Sequence, residues 1–437
     1  MVKFRANFII VLSFFLVILV GGILLSLPVS SAKGTPTNFL DAYFTSNSAT
    51  CVTGLVTLDT GAHFSLFGLI VIMLLMQIGG LGYMTFSTFM LLVFRQKLFI
   101  SQKLAIQEAL NIYSTKDVIN VMRRIFIIVF TLEGLGTLIL FLRWLPEMGY
   151  KKALLYGVFH SISAFNNAGF ALPANFANLM PYATDLVINL TITTLIIIGG
   201  LGFIVIADIL QHNRLSLHTK IAVLTTLCLL IGGTLMILAL EYNNPQTIGK
   251  MILPHKILAS YFQAVTPRTA GFNTIDLGKV IPATALVTMF LMFVGASPGG
   301  TGGGIKTTTF ALLLATIRAT LKGYRDTIIF NRRIPPETVR RAFTISFLAI
   351  AIIAIAVFAL DKIENFSLLA IAFEVISAFG TVGLSTGITP YLSSIGKIII
   401  IIVMFIGRVG PLTLLLALNL QQKETRIEPP KEGISIG

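Results

Sequence analysis

Charge is what this chain has least of. Asp, Glu, Lys and Arg make up 11% of its 437 residues, hydrophobic residues make up 55%, and mean hydropathy is +0.89. So little polar surface cannot clothe a soluble domain of this length. Cysteine is nearly absent: Cys51 and Cys228 stand alone, which excludes a disulfide framework and leaves two free thiols. The five histidines, His63, His160, His212, His218 and His255, are scattered. No His cluster, metal-ligand spacing or intramembrane carboxylate pair accompanies them, so the chain reads as a non-enzyme with no metal cofactor. Acid is scarcer than base, 18 residues against 32, for a net charge of +14. Nucleic-acid binding would need that charge gathered into one patch, and it is not. The longest polar stretch, 318–341, is too short to be a soluble domain.

Long apolar runs, by contrast, are plentiful. They occupy 8–27, 66–94, 125–142, 186–210, 221–240, 285–315, 342–360 and 395–418. A bilayer takes about 20 residues of helix, and continuous rather than alternating apolarity implies helices. The expectation is eight spans. With the N-terminus placed inside, about 20 of the 32 basic residues fall on inner segments, as the positive-inside rule requires. These are Lys3 and Arg5, the group from Arg95 to Arg124, Arg214 and Lys220, the group within 318–341, and Lys423, Arg426 and Lys431. A multi-pass plasma-membrane protein with both termini cytoplasmic follows, its inner basic loops suited to anionic lipid. The first run has a basic start like a signal peptide. No small-residue cleavage site follows it, so it reads as a retained helix.

Four short segments repeat one another. They are Ser48-Ala49-Thr50-Cys51-Val52-Thr53-Gly54-Leu55, Ser163-Ala164-Phe165-Asn166-Asn167-Ala168-Gly169-Phe170, Thr266-Pro267-Arg268-Thr269-Ala270-Gly271-Phe272 and Ser377-Ala378-Phe379-Gly380-Thr381-Val382-Gly383-Leu384. Their glycines are 115, 102 and 112 residues apart. Each follows an apolar segment too short to span, 39–49, 153–165, 257–265 and 368–379. Non-helical backbone at membrane depth is tolerated only where it is buried in protein or lines a wet cavity. Four such loops in one chain can surround one axis. The chain therefore reads as an all-α polytopic membrane protein: eight transmembrane helices in four parallel helix–pore-helix–filter-loop–helix repeats around a central pore. The copies divide at 1–94, 95–214, 215–325 and 326–418, with a tail at 419–437.

The second span of each copy repeats as well. Ile78-Gly79-Gly80-Leu81-Gly82 matches Ile198-Gly199-Gly200-Leu201-Gly202, and Met292-Phe293-Val294-Gly295 matches Met404-Phe405-Ile406-Gly407. Such glycines serve close helix packing in a membrane.

Carbonyl oxygens can replace the water that potassium sheds, without a fixed charge that would trap the ion. Glycine tolerates the positive φ that aims successive carbonyls one way. The candidate filter residues are Val52, Thr53 and Gly54, then Asn167, Ala168 and Gly169, then Thr269, Ala270 and Gly271, then Thr381, Val382 and Gly383. The preceding short helices would turn their partly negative C-termini toward a cation.

The third copy differs within its second span. The run Gly295-Ala296-Ser297-Pro298-Gly299-Gly300-Thr301-Gly302-Gly303-Gly304-Ile305-Lys306 holds six glycines and a proline, so a stable helix is excluded there. Low local stability is expected of it. Gly-Ile-Lys-Thr echoes a phosphate-binding loop, but no strand precedes it and it lies inside an apolar run. Charged residues in apolar surroundings complete the candidates. Arg408 faces a cavity as an electrostatic barrier, clamps the glycine-rich segment, or does both. Lys306 belongs to that segment or anchors an interface, and Glu133 pairs with another helix or snorkels.

The residues of 163–170, Gln263 to Asn273, 377–384 and Met404-Phe405-Ile406-Gly407-Arg408 resemble the Trk/Ktr/HKT superfamily of potassium transporters. The likeness is greatest to the membrane subunit of bacterial Ktr systems, extends over essentially the whole chain, and eight spans fit that branch. The resemblance implies potassium as the transported ion, with sodium left open as a coupled or permeating ion. In some plant relatives serine replaces the first filter glycine and sodium selectivity accompanies it; Gly54 stands there in this chain. The resemblance also implies that Gly295, Ser297, Pro298, Gly299, Gly300, Thr301, Gly302, Gly303, Gly304, Lys306 and Arg408 form a gate below the filter. It further implies a homodimer and a cytosolic ring of nucleotide-binding RCK/KTN-type regulatory subunits, this chain binding no nucleotide itself. Two rivals remain. An alternating-access transporter of another solute would favour inverted repeats, whereas these run parallel. A sodium-permeable channel of the same fold is not distinguished by sequence.

Overall fold

A computed structural model describes residues 2–82, 118–211 and 215–410. The expected span ends 83–94 and 411–418, the basic residues Arg95, Lys97, Lys103, Lys116 and Arg214, and the tail 419–437 lie outside them.

Helices build nearly everything. Copy one holds α1 (Val2–Ser26), α2 (Phe39–Thr50), the one-turn α3 (Thr60–His63) and α4 (Leu66–Leu81). Copy two holds α5 (Val118–Met148), α6 (Tyr150–Phe165), α7 (Leu186–Leu201) and α8 (Phe203–Gln211). Copy three holds α9 (Leu217–Glu241), α10 (Leu253–Val265), α11 (Pro282–Phe293) and α12 (Thr307–Leu321). A two-stranded hairpin, β1 (Ile328–Ile329) with β2 (Arg332–Arg333), leads to α13 (Pro336–Ile363), α14 (Leu368–Gly380) and α15 (Ser394–Val409) of copy four.

The inner helices α4, α7 and α15 share start and stop signals. Ser65, Asp185 and Ser393 cap their first turns by accepting from Gly68, Ile188 and Gly396 backbone N–H groups. Such caps satisfy N–H groups that have no partner inside the helix. Each then ends at a glycine of positive φ, Gly82 (79°), Gly202 (93°) and Gly410 (91°), a backbone that cannot propagate a right-handed helix.

Two of the expected continuous spans, 186–210 and 285–315, are broken. By length and apolarity three described helices qualify as crossing a membrane, Arg123–Met148, Leu217–Glu241 and Pro336–Ile363. Leu186–Leu201 and Phe203–Leu210 make a fourth if their 95° bend is one broken span. The run 285–315 is two helices with 294–306 between them, as its composition required. Its interruption is not unique, because copy two is also broken, at Gly202, and the inner helices of copies one and four stop at the matching glycines. The glycine-rich runs supplied the positive-φ positions that break these helices.

Packing follows a cyclic order. Each outer helix (α1, α5, α9, α13) lies on its own short helix (α2, α6, α10, α14). The inner helix of each copy also packs against the short helix of the next: α4 on α6, α7 on α10, α11 on α14, and α15 on α2. The fourth copy thus closes on the first.

The span glycines permit this closeness. A Cβ on Gly79, Gly199 or Gly407 would overlap the carbonyl oxygen of Thr50, Phe165 or Phe379 respectively. Those three residues each stand four before their own loop glycine. In copy three Gly295 meets Gly303 instead. Close packing was the expected purpose of these glycines, and the geometry assigns it a partner.

Candidate functional site

The C-termini of α2, α6, α10 and α14 run into the four glycine loops, and these loops meet. A Cβ built on Gly54 would lie 2.6 Å from the Ala168 carbonyl oxygen and 2.9 Å from Gly169 Cα. One on Gly169 would lie 2.8 Å from the Ala270 oxygen, and one on Gly271 would lie 2.5 Å from the Val382 oxygen. One on Gly383 would overlap the Thr53 oxygen. The contacts run from Gly54 through Gly169, Gly271 and Gly383 back to copy one. All twelve candidate filter residues therefore come together in one ring, buried except for the half-buried Gly383.

The glycines have φ of 92°, 73°, 75° and 90°. The residue two before each is also left-handed: Val52 (50°), Asn167 (55°), Thr269 (68°) and Thr381 (50°). The positive φ values of the glycines were expected, and those of the other residues were not. For β-branched Val and Thr this conformation is a genuine outlier, costing of order 1–3 kcal/mol each. Its recurrence in all four copies means that the surroundings impose it. Asn visits this region readily, but nothing local announces it at Val52, Thr269 or Thr381, where sterics disfavour it.

The hydroxyl residue that opens each motif braces the loop, a role missing from the candidate list. Ser48 and Ser377 accept from the Gly54 and Gly383 N–H groups at 3.0 and 3.1 Å. Ser163 and Thr266 donate to the Phe170 and Phe272 carbonyls at 2.8 and 2.5 Å. The signal was present, since each motif begins with Ser or Thr at nearly constant distance from its glycine.

The segment 294–306 lies against this ring. Its neck is closed by a parallel bridge between Val294 and Ile305, and Ser297 Oγ and Thr307 Oγ1 meet at 2.8 Å. Ser297 and Thr301 donate their backbone N–H groups to Gly200 and Gly199 carbonyls of the broken α7, and Phe203 donates to Gly299. The Asn167 amide stands 3.1 Å from Thr301 Oγ1 and 3.2 Å from Thr269 Oγ1. Turning its nitrogen toward Thr301 satisfies both neighbours. Gly303 N–H donates to Thr381 Oγ1 at 3.0 Å. A Cβ on Gly302 or Gly303 would strike Thr269 or Thr381. The glycines thus serve a close approach to the ring, and the segment is well bonded; its composition had suggested little packing.

Charged groups complete the site. The Arg408 guanidinium donates to the carbonyls of Thr301 and Gly79. It is the clamp that the sequence offered as one of two readings, and it ties copies one, three and four. Lys306 Nζ donates to Gly302 O at 2.7 Å, so it fastens the segment to itself. Glu133 is buried and accepts from Gln77 Nε2 (3.2 Å) and Asn166 Nδ2 (3.0 Å). It does not snorkel. These amides join copies one and two immediately behind Asn167.

Comparison with known proteins bears on what such a ring is for. A family model described as TrkH, cation transport protein, matches residues 1–426. The chain belongs to this family. It is 45% identical over 415 residues to Ktr system potassium uptake protein B of Bacillus subtilis, covering 94% of this chain and 92% of that one. It is 40% identical over 433 residues to the potassium/sodium uptake protein NtpJ of Enterococcus hirae, covering 97% and 95%. The crystal structure of the potassium transporter TrkH from Vibrio parahaemolyticus superposes with a TM-score of 0.77 at 19% identity, over 95% of this chain and 84% of that one. At that identity the likeness speaks for the fold alone. The TrkH family membership makes the chain a membrane cation-transport protein and accords with the Trk/Ktr resemblance of its motifs.

Proposed function

We propose that the chain takes up potassium across the plasma membrane through the ring of four glycine loops. Segment 295–306 is its gate, and Val52, Thr53, Asn167, Ala168, Thr269, Ala270, Thr381 and Val382 supply carbonyls beside the four glycines. The observation that carries the reading is the cyclic contact of four left-handed glycine loops, each reached from the C-terminus of a short helix. Backbone carbonyls so arranged can replace an ion's water, and the helix ends favour a cation. The potassium uptake named for the Bacillus relative supports the choice of ion, and that named for the Enterococcus relative keeps sodium in view. Eight spans in four parallel repeats around one pore is the architecture this reading needs, and the parallel order counts against alternating access by inverted repeats.

Expression in a bacterium lacking its potassium-uptake systems tests it. Rubidium uptake should appear with the wild-type chain and be competed by potassium. Comparing uptake with and without external sodium separates coupling from a sodium-independent path. A folded, membrane-inserted protein that restores no rubidium uptake would remove the reading.

The same reading includes a homodimer with one pore in each subunit, and a cytosolic nucleotide-binding ring on the inner face. The Ktr names of the relatives support the separate regulatory subunit. One chain already brings four loops, so a pore shared between subunits is unnecessary. A tandem fusion of one wild-type and one filter-dead copy should keep about half of the flux, whereas near-total loss would mean a shared pore.

A further inference from the structure

Two titratable side chains in equivalent positions hold the backbone that leaves the glycine loops, and neither is among the residues assigned so far. His160 stands nine residues before Gly169, and Glu374 stands nine before Gly383. His160, in α6, is fully buried. Its Nε2 lies 3.3 Å from the backbone nitrogen of Leu172, and its Nδ1 lies 2.8 Å from the Tyr156 carbonyl oxygen. A backbone N–H only donates and a carbonyl only accepts. Nε2 is therefore the acceptor, Nδ1 carries the hydrogen, and the ring is one neutral tautomer.

Glu374, in α14, is 1% exposed and does the same for copy four. Its Oε1 accepts from the Thr386 N–H at 3.2 Å and from the Ser385 hydroxyl, and its Oε2 accepts from Thr389 Oγ1 at 2.9 Å. Leu172 and Thr386 each stand three residues past their glycine. Ser385 and Thr386 also line a cavity with Gly54 and Gly383, so Glu374 lies immediately behind the wall of the ring's mouth.

Copies one and three lack this tie. Thr45, the equivalent in copy one, turns its hydroxyl back to Asp41 O at 2.9 Å, and the Thr57 hydroxyl past Gly54 has no partner. In copy three the equivalent is Phe262, and only the neighbouring Gln263 reaches forward, to Thr274 Oγ1 at 3.5 Å. The ring order sets copies two and four opposite each other. The two loops whose exits are held by a buried acceptor on their own short helix therefore face one another across the axis; the exit of loop three is held instead from copy two, where Asn178 accepts from the Asn273 N–H and donates to the Gly271 carbonyl.

We propose that His160 and Glu374 are positioning residues for ion selection. They hold the exits of loops two and four so that those walls cannot close around a smaller ion. The inference rests on the reading of the ring as the ion path. Where the size of the cage of backbone oxygens discriminates potassium from sodium, those oxygens must resist collapse. A fixed acceptor three residues past the glycine supplies that resistance without entering the path.

The test reads the ratio of sodium to rubidium uptake per unit of folded protein, after purification and reconstitution. His160→Leu and Glu374→Leu should each raise the ratio by about fivefold, the size of one lost hydrogen bond. His160→Gln, whose amide oxygen can accept from Leu172, should restore the wild-type ratio, and Thr45→Val should leave it unchanged. Glu374→Gln, which replaces one acceptor oxygen by a donor, should raise it and serves if the leucine variants do not fold. Folded variants with lower uptake but an unmoved ratio would overturn the proposal, leaving both residues as helix packing. Absence of rubidium uptake by the wild type would instead defeat the proposed function.

Discussion

Deleting 297–303 should raise rubidium uptake about tenfold, the equivalent of removing roughly 1.4 kcal/mol of barrier. The segment bonds to two of the four glycine loops and to an inner helix: to Asn167 through Thr301, to Thr381 through Gly303, and to α7 through Gly199 and Gly200. Arg408 holds the Thr301 carbonyl from copy four. These bonds cross between copies, so an opening movement breaks them together. The neck, Val294 bridged to Ile305, lies outside the deleted residues and can stay closed while the tip is removed. A regulator gripping the inner loops would shift the balance by binding the open arrangement more tightly. The deletion should therefore also blunt the response to such a regulator. Uptake in vesicles, with and without it, reads both. A folded deletion protein with wild-type flux and undiminished regulation would make the segment structural.

Gly54→Ser should raise sodium uptake relative to rubidium by about tenfold while leaving the protein folded, because the change alters carbonyl geometry and adds a hydroxyl in the loop proposed to strip the ion of water. Geometry gives the substitution two separate effects. Gly54 has φ of 92°, which a side chain resists, and its Cβ would lie 2.6 Å from the Ala168 oxygen. The first loop must shift, and it takes the neighbouring loop's carbonyl with it. Loop one is also one of the two loops whose exits lack the tie made by His160 and Glu374 in the others. Competition of sodium against rubidium in reconstituted protein measures the change. An unchanged ratio in folded protein would take Gly54 out of the filter.

Much of this site was legible in the residues. Low charge and long apolar runs placed the chain in a membrane, and four motifs at similar intervals marked the loops. The glycines and proline of 295–306 announced a break in a helix. The break at Gly202 was equally written in Ile198-Gly199-Gly200-Leu201-Gly202, yet it read as a continuous span. Hydropathy sums over a window and does not register a single positive-φ residue. Arg408 was recognisable as expensive where it stands, but its partners were not, because Thr301 and Gly79 are 107 and 329 residues away in sequence.

What the sequence determined by itself is what belongs to a segment: membrane residence, the helices and their caps, the glycine positions and the fourfold repetition. Only the tertiary structure decided the cyclic closure of α15 on α2, the left-handed backbone at Val52, Asn167, Thr269 and Thr381, and the forward ties of His160 and Glu374. Each depends on residues that meet after the copies assemble. A strained φ or a buried acceptor is tolerable only when neighbours distant in sequence hold it in place, and nothing in a local stretch of chain specifies those neighbours.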